Sequence, residues 1–158
     1  MRRILFVCLG NICRSPTVEA VARVELARAG LAATIASAGT EDYHVGAAAD
    51  RRAIAVAEAA GYPMAAHRAR QVGTTDFDDY DHVLAMDAVN LRALERVCPA
   101  ASRDRVALFL PFAGYAARSD VPDPYYGSQR DFEQVLSLAR EGVAALAERL
   151  RRDGGSRQ

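Results

Sequence analysis

The stretch that most constrains this chain runs from Ile4 to Pro16. Ile4-Leu5-Phe6-Val7 is an unbroken run of branched and aromatic side chains, as expected of a strand buried on both faces. It passes directly into Cys8-Leu9-Gly10-Asn11-Ile12-Cys13-Arg14-Ser15-Pro16, after which a helical periodicity begins. Pro16 suits the first helical position and Ser15 the N-cap before it. A strand that turns so sharply into a helix aims its backbone N–H groups into a small bowl. The positive end of the helix dipole adds to their attraction for an anion. Cys8 stands at one rim of that bowl and Arg14 at the other.

A thiol attacks only as thiolate, and a helix N-terminus beside a cation is a setting that favours that form. Cys8 is therefore the candidate nucleophile, in a bowl built for an oxyanion. Arg14 supplies a planar fork that can bind two phosphoryl oxygens at once. Gly10 lets the backbone approach closely, and Asn11 tolerates the left-handed conformation of a tight loop. Ser15 can donate its hydroxyl to the Cys8 sulfur. These parts point to phosphoryl transfer through a phosphocysteine.

Val7 to Pro16 resembles the active-site signature of the low-molecular-weight protein tyrosine phosphatases. Further segments resemble the family in order: Ser37-Ala38-Gly39-Thr40, Tyr43-His44-Val45-Gly46, His67-Arg68-Ala69-Arg70-Gln71, Met86-Asp87 with Asn90-Leu91, and Asp123-Pro124-Tyr125-Tyr126-Gly127. Together they cover nearly the whole chain. The resemblance implies an α/β three-layer sandwich of the phosphatase I-like kind. Its four-stranded parallel sheet, in the order 2-1-3-4, carries helices on both faces.

The remaining sequence agrees with such a fold. At 158 residues, 51% hydrophobic and 25% charged, the chain has the makings of one ordinary domain. The formal net charge is zero, so bulk electrostatics imply no nucleic-acid partner. All 20 basic residues are arginine, which base composition of the gene explains more simply than function. The start, Met1-Arg2-Arg3 before a short apolar run, only imitates a signal peptide, and no stretch approaches a membrane span. The 3 cysteines, an odd number, argue against a disulfide framework and for a reducing cytoplasm.

Along the chain, Val18, Val21, Ala22, Leu26 and Ala29 keep helical spacing up to Gly30, a C′ residue. Thr34–Ser37 reads as a strand. A helix follows from an N-cap at Asp50 to Gly61. Val83–Met86 is a third strand, with Leu91, Leu94 and Val97 marking the next helix. Val106–Leu110 is a fourth strand, and an irregular segment with Pro111, Gly114, Pro122 and Pro124 follows. Phe132, Val135, Leu136, Ala139, Val143, Leu146 and Leu150 then form one apolar helical stripe. The domain is expected over residues 1–150, with 151–158 a flexible tail. Alternating strands and helices mean a parallel sheet, whose ligands bind beyond the carboxyl ends of the strands, where Cys8 falls.

The resemblance assigns further roles. Asp123 is implied as the general acid that protonates a phenolate leaving group and then the base that activates water. Read alone, Asp123-Pro124 is ordinary turn chemistry; the nearby Asp120 lacks the proline-tyrosine pair that follows Asp123. Leu9 to Ser15 would form the phosphate-binding loop, with Ile12, Tyr43, Tyr125 and Tyr126 around the substrate cleft. Aromatic walls there give a slot that a phenyl phosphate fills and a serine phosphate cannot. Asn11, Ser37 and His67 correspond to a hydrogen-bonded brace for the loop. Cys13 corresponds to a thiol that traps oxidised Cys8 as a Cys8–Cys13 disulfide. Cys98 reads as a buried or helix-end thiol. No cofactor and no metal is expected, since arginine and backbone amides carry the cationic load.

The expected substrate is a phosphotyrosine-containing protein, with phosphate and other oxyanions as inhibitors. Similar bacterial proteins suggest a tyrosine kinase of an exopolysaccharide system, or a host protein. Rival readings are an arsenate reductase, which needs a relay of further cysteines, and a protein-arginine phosphatase, whose members carry threonine where this chain has Ile12. A catalytically dead phosphotyrosine-binding module would lack Cys8, Arg14 or Asp123. A phosphocysteine carrier would need no Arg14 with a downstream acid.

Overall fold

The computed structural model describes residues 2–155. The opening run forms strand β1 (Arg2–Cys8) in the middle of a four-stranded parallel sheet of order β2-β1-β3-β4, with β2 at Ala33–Gly39, β3 at His82–Ala85 and β4 at Val106–Leu108. This is the order the resemblance implied. Both faces of β1 are covered, which is why its apolar run is continuous rather than alternating. Ile4, Phe6 and Cys8 face one core, built with helices α1 (Arg14–Arg28), α2 (Arg51–Ala59), α5 (Phe109–Ala113) and α6 (Gln129–Gly155). Leu5 and Val7 face a second, smaller core with Phe77 of the short helix α3 (Asp76–Asp79) and Leu94 of α4 (Ala88–Val97). A 3-10 turn at Ala100–Arg105 leads into β4.

Local chemistry sets several boundaries. Gly30 takes φ 74°, its N–H bonding Ala27 O while that of Leu31 bonds Leu26 O, the paired closure of a glycine-ended helix. Asp50 caps α2, its carboxylate accepting from the Arg52 N–H at 2.8 Å.

Several elements differ from the sequence reading, four of them for a clear reason or by more than a residue or two. Helix α1 starts at Arg14 with Cys13 at the cap position and no side-chain cap, because the Ser15 hydroxyl is used elsewhere. Pro16 is tolerated there because the first turn has no N–H bonds to lose. Strand β4 ends at Leu108, not Leu110. Phe109 and Leu110 instead open α5, which holds Pro111 in its first turn and stops at Gly114 with φ 89°. The rings of Phe109 and Phe6 meet edge to face, their centroids 5.3 Å apart, so an apolar pair that suits a strand is buried equally well by a helix. Helix α3 lies where no element was expected. Helix α6 continues past Leu150 through Gly155, with ion pairs from Arg149 to Asp153 and Arg2 to Asp153 along its last turns; the expected tail beyond Gly155 lies outside the described residues. No helix among the described residues is long and apolar enough to cross a membrane.

Candidate active site

β1 delivers Cys8 to the carboxyl edge of the sheet, and the chain turns through Leu9–Cys13 into α1. Asn11 adopts φ 59°, the left-handed conformation anticipated for the tight loop. Gly39, next to Cys8 across the sheet, lies so close that a Cβ there would sit 2.7 Å from Leu9 O and 3.2 Å from Asn11 N. The loop is thus pressed against the end of β2.

Its bracing is buried. Asn11 Nδ2 donates to Ser15 Oγ and to Ser37 Oγ, each at 2.9 Å, while its Oδ1 accepts from Arg70 N at 3.0 Å. His67 Nε2 lies 2.8 Å from Asn11 O, and Ser37 Oγ donates to Glu19. Since Ser15 Oγ already accepts from Asn11, its single proton is free for another partner; the Cys8 sulfur at 3.0 Å is nearer than Ala38 O at 3.4 Å. The hydroxyl is therefore placed to stabilise negative charge on sulfur.

Arg14 is 3% exposed, and its charge is matched on every side. Nη1 donates to Asp87 Oδ2 at 2.6 Å and to Val121 O at 3.1 Å, and Nη2 lies 3.7 Å from Asp123 Oδ2. Burial alone would depress this guanidinium, but Cys8, Asp87 and Asp123 outweigh it and hold it above its ordinary pKa. Burial, with help from Asp50, Cys8 and Asp123, pushes the Cys13 thiol far above its ordinary value, so it does not compete with Cys8 as a nucleophile. All three cysteines are free; Cys98 is buried at the end of α4, its Sγ donating to Pro99 O.

Asp123 sits on the segment between α5 and α6. Its Oδ1 accepts from Tyr125 N at 3.1 Å, which leaves Oδ2 facing Arg14. Cys8, Leu9, Gly10, Ile12, Cys13, Arg14, Tyr43, Asp123, Tyr125 and Tyr126 all border one cleft of about 330 Å³, within the usual range for a small-molecule site. Asn11, Ser15, Ser37 and His67 lie behind its floor. Tyr126 borders the cleft at its outer rim, 97% exposed and in edge contact with Tyr125.

The sequence reading overlooked three contributors. His44 packs over Gly10, where a Cβ would meet its ring at 2.9 Å, and its ring centroid lies 6.4 Å from that of Tyr125; it lines the cleft beside Tyr43. Asp87 caps α4 through Asn90 N with one oxygen and orients Arg14 with the other. Its place just past the carboxyl end of β3 was the available clue. Arg52 reaches from α2 to the Tyr125 carbonyl. Among the described residues no group of His, Cys, Asp and Glu side chains is arranged to hold a metal ion.

The family model described as low molecular weight phosphotyrosine protein phosphatase matches residues 3–156. The low molecular weight phosphotyrosine protein phosphatase of Schizosaccharomyces pombe is 47% identical over 152 residues, covering 92% of this chain and 97% of its own. Low molecular weight protein-tyrosine phosphatase A of Mycobacterium tuberculosis is 42% identical, covering 97% and 96%. Among solved structures, the protein tyrosine phosphatase of Entamoeba histolytica superposes with a TM-score of 0.92 at 34% identity, covering 98% of this chain and 99% of its own. Wzb of Vibrio vulnificus, in complex with benzylphosphonate, superposes with a TM-score of 0.83 at 33% identity, covering 94% and 98%. The chain belongs to the low molecular weight phosphotyrosine protein phosphatase family and, with it, to the protein-tyrosine-phosphatase hydrolases.

Proposed function

We propose that this chain hydrolyses phosphotyrosine in proteins through a phosphocysteine on Cys8, with Arg14 as the phosphoryl-binding cation and Asp123 as the proton donor. The observation that carries this reading is a convergence on one cleft: Cys8 Sγ 3.0 Å from the Ser15 hydroxyl, buried Arg14 beside it, and Asp123 Oδ2 3.7 Å from Arg14 Nη2. The Cys8 thiolate attacks phosphorus in line as the bond to the phenolic oxygen breaks. Asp123 gives its proton to that oxygen, and tyrosine leaves neutral. The loop amides and Arg14 hold the three equatorial oxygens, where most of the catalytic stabilisation of phosphoryl transfer arises. Asp123, now ionised, takes a proton from water. The resulting attack on phosphorus releases inorganic phosphate, and the Ser15 hydroxyl steadies the departing sulfur.

The aromatic sides of the cleft suit a flat ring attached to the phosphate, and benzylphosphonate in the related Wzb has that shape. Inorganic phosphate and similar oxyanions compete for the same bowl. The substrate class is a phosphotyrosine protein of the cytoplasm, such as a tyrosine kinase. In a kinetic test, Cys8→Ser abolishes turnover while oxyanion binding persists. Asp123→Asn lowers kcat/KM by about 10²–10³-fold on phenyl phosphate and far less on p-nitrophenyl phosphate, since a general acid contributes about 10²–10⁴-fold where the leaving group is poor. Equal loss on both esters would remove Asp123 from the acid role. Hydrolysis of phosphoarginine peptides but not phosphotyrosine peptides would overturn the substrate assignment.

A further inference from the structure

Asp123 lies on a segment with no regular secondary structure between Gly114 and Ser128, yet general acid catalysis needs its carboxyl placed to within a fraction of an ångström. On the upstream side the segment is tied down at Val121, whose N–H donates to Met86 O at 2.8 Å and whose carbonyl accepts from Arg14. Proline at position 124 has no N–H to donate, so the next tie downstream falls to Tyr125. Its N–H takes up Asp123 Oδ1, and its carbonyl accepts from Arg52 Nη2 at 3.0 Å. The backbone around Tyr125 therefore decides how the Asp123 carboxyl is turned, and Arg52 decides where that backbone sits.

Arg52 is itself held. Its Nε and Nη2 grip Asp50 Oδ1 and Oδ2 at 3.1 and 2.9 Å, a two-point pairing that fixes the guanidinium plane. The guanidinium also stacks on Phe132 of α6, 4.5 Å from the ring centroid, and lies 5.7 Å from that of Tyr125. Asp50 in turn donates its backbone N–H to Ile12 O at 2.9 Å, within the phosphate loop. A continuous set of contacts thus runs from Ile12 through Asp50, Arg52 and Tyr125 to Asp123. We propose that Arg52 is a positioning residue for catalysis, clamping the segment that carries Asp123 in register with the phosphate loop while touching neither substrate nor sulfur. The proposal rests on the reading of Asp123 as the acid.

The test compares kcat/KM for phenyl phosphate and p-nitrophenyl phosphate in Arg52→Ala, in Arg52→Gln, in Asp123→Asn and in the double variant Arg52→Ala/Asp123→Asn, with the inhibition constant of inorganic phosphate measured for each. A misplaced acid hurts the poor leaving group most. Arg52→Ala and Arg52→Gln should each lose about tenfold on phenyl phosphate and within about twofold on p-nitrophenyl phosphate, a size set by a geometric error of about 1 Å costing up to about 10²-fold. Phosphate inhibition should stay unchanged, and adding Arg52→Ala to Asp123→Asn should cost nothing further on either ester, because the two act as one unit. A clamp that served only stability would lower both esters alike and add its loss to that of Asp123→Asn; either result overturns the proposal. If Asp123→Asn is steep with leaving group and the Arg52 variants are flat, the clamp fails alone. If Asp123→Asn is itself flat, the acid reading fails first and the clamp with it.

Discussion

The loop from Leu9 to Cys13 and the segment from Asp120 to Gly127 close over the same sulfur, but one is braced mainly by buried neutral groups and the other by arginine side chains. Asn11, Ser15 and Ser37 are buried and bond mainly to one another, and none of them ionises in the physiological range. The Asp123 segment hangs instead on arginines from two different helices: buried Arg14 of α1, and Arg52 of α2, whose side chain is 45% exposed. Its carboxylate has solvent on one side, as a group that must lose and regain a proton requires. A rigid bowl fixes the geometry of attack, and a wet, tethered strap brings the proton. Damage to the first should therefore be indifferent to the leaving group, and damage to the second should depend on it.

Among substitutions of the supporting residues, rather than of Cys8 or Asp123, the largest effect is expected from Asn11→Ala. The substitution removes the donors to Ser15 and Ser37 and the acceptor of Arg70 N, and it leaves alanine in a left-handed conformation that costs about 1–2 kcal/mol. Ser15 and Ser37 keep other partners, so the group left without one is Arg70 N, at about 1–3 kcal/mol, and stability should fall by about 2–5 kcal/mol in all. Ser15 loses the contact that directs its proton to sulfur, so kcat/KM should drop by about 10²-fold, by the same factor for phenyl and p-nitrophenyl phosphate. Thermal unfolding and steady-state kinetics on both esters check this. A steep leaving-group dependence in Asn11→Ala would mean the two regions are not separable.

The same contrast governs what could be read from the sequence. Features settled within a few residues were legible: the strand-to-loop turn at Cys8, the left-handed Asn11, the glycine end of α1 at Gly30 and the aspartate cap at Asp50. Features settled across the fold were not. Phe109 and Leu110 continue an apolar run, and nothing in that run says that they open α5 and that Phe109 packs on Phe6 across the core. Arg52 is one of many arginines on helix surfaces, and nothing local distinguishes it until Tyr125 arrives from 73 residues away. The turn of the bowl is written locally, whereas its brace and the strap depend on the finished fold.

A pair of glycines sharpens the comparison at smaller cost. A Cβ at Gly39 would meet backbone atoms of the phosphate loop, at 2.7 Å from Leu9 O and 3.1 Å from Gly10 C, and a backbone cannot swing aside. At Gly127, the end of the Asp123 segment, the nearest atoms a Cβ would meet belong to the Asp131 side chain, whose carboxyl can turn away while its Cβ, at 2.9 Å, must shift with the first turn of α6. Gly39→Ala should thus cost about 1–3 kcal/mol by overpacking and weaken phosphate inhibition together with kcat/KM by about tenfold. Gly127→Ala displaces the carboxylate that receives Ser128 N at the start of α6, a capping bond worth about 1 kcal/mol, and should leave kcat/KM within about twofold of the parent. Measured phosphate affinity separates them; an equal effect from both would contradict the idea that only the bowl is pinned by backbone.

The smallest expected effect is a pH dependence that belongs to one side of the cleft. The Arg52 hydrogen bond holds the Asp50 carboxyl below the usual carboxylate range, against an opposing push from partial burial. A carboxyl depressed on folding contributes stability that is fully present above its unfolded pKa, about 3.9, and is lost as pH falls through the lower folded value. Asp50→Asn keeps a side-chain oxygen to cap α2 but loses the charge that grips Arg52. Between pH 7 and pH 5 the variant should melt roughly 1–3 °C below the parent, as an exposed pair worth at most about 1 kcal/mol allows in a domain of this size. The difference should shrink as pH falls below about 4, where the unfolded carboxyl begins to take up a proton, and close once pH passes below the depressed folded value. Asn11, Ser15 and Ser37 have no proton to gain in that window, so Asn11→Ala should lie below the parent by the same margin from pH 7 down to pH 4. Melting curves from pH 7 to pH 3 distinguish the two, and a gap for Asp50→Asn undiminished at pH 3 would show that the Asp50–Arg52 contact works by packing rather than by charge.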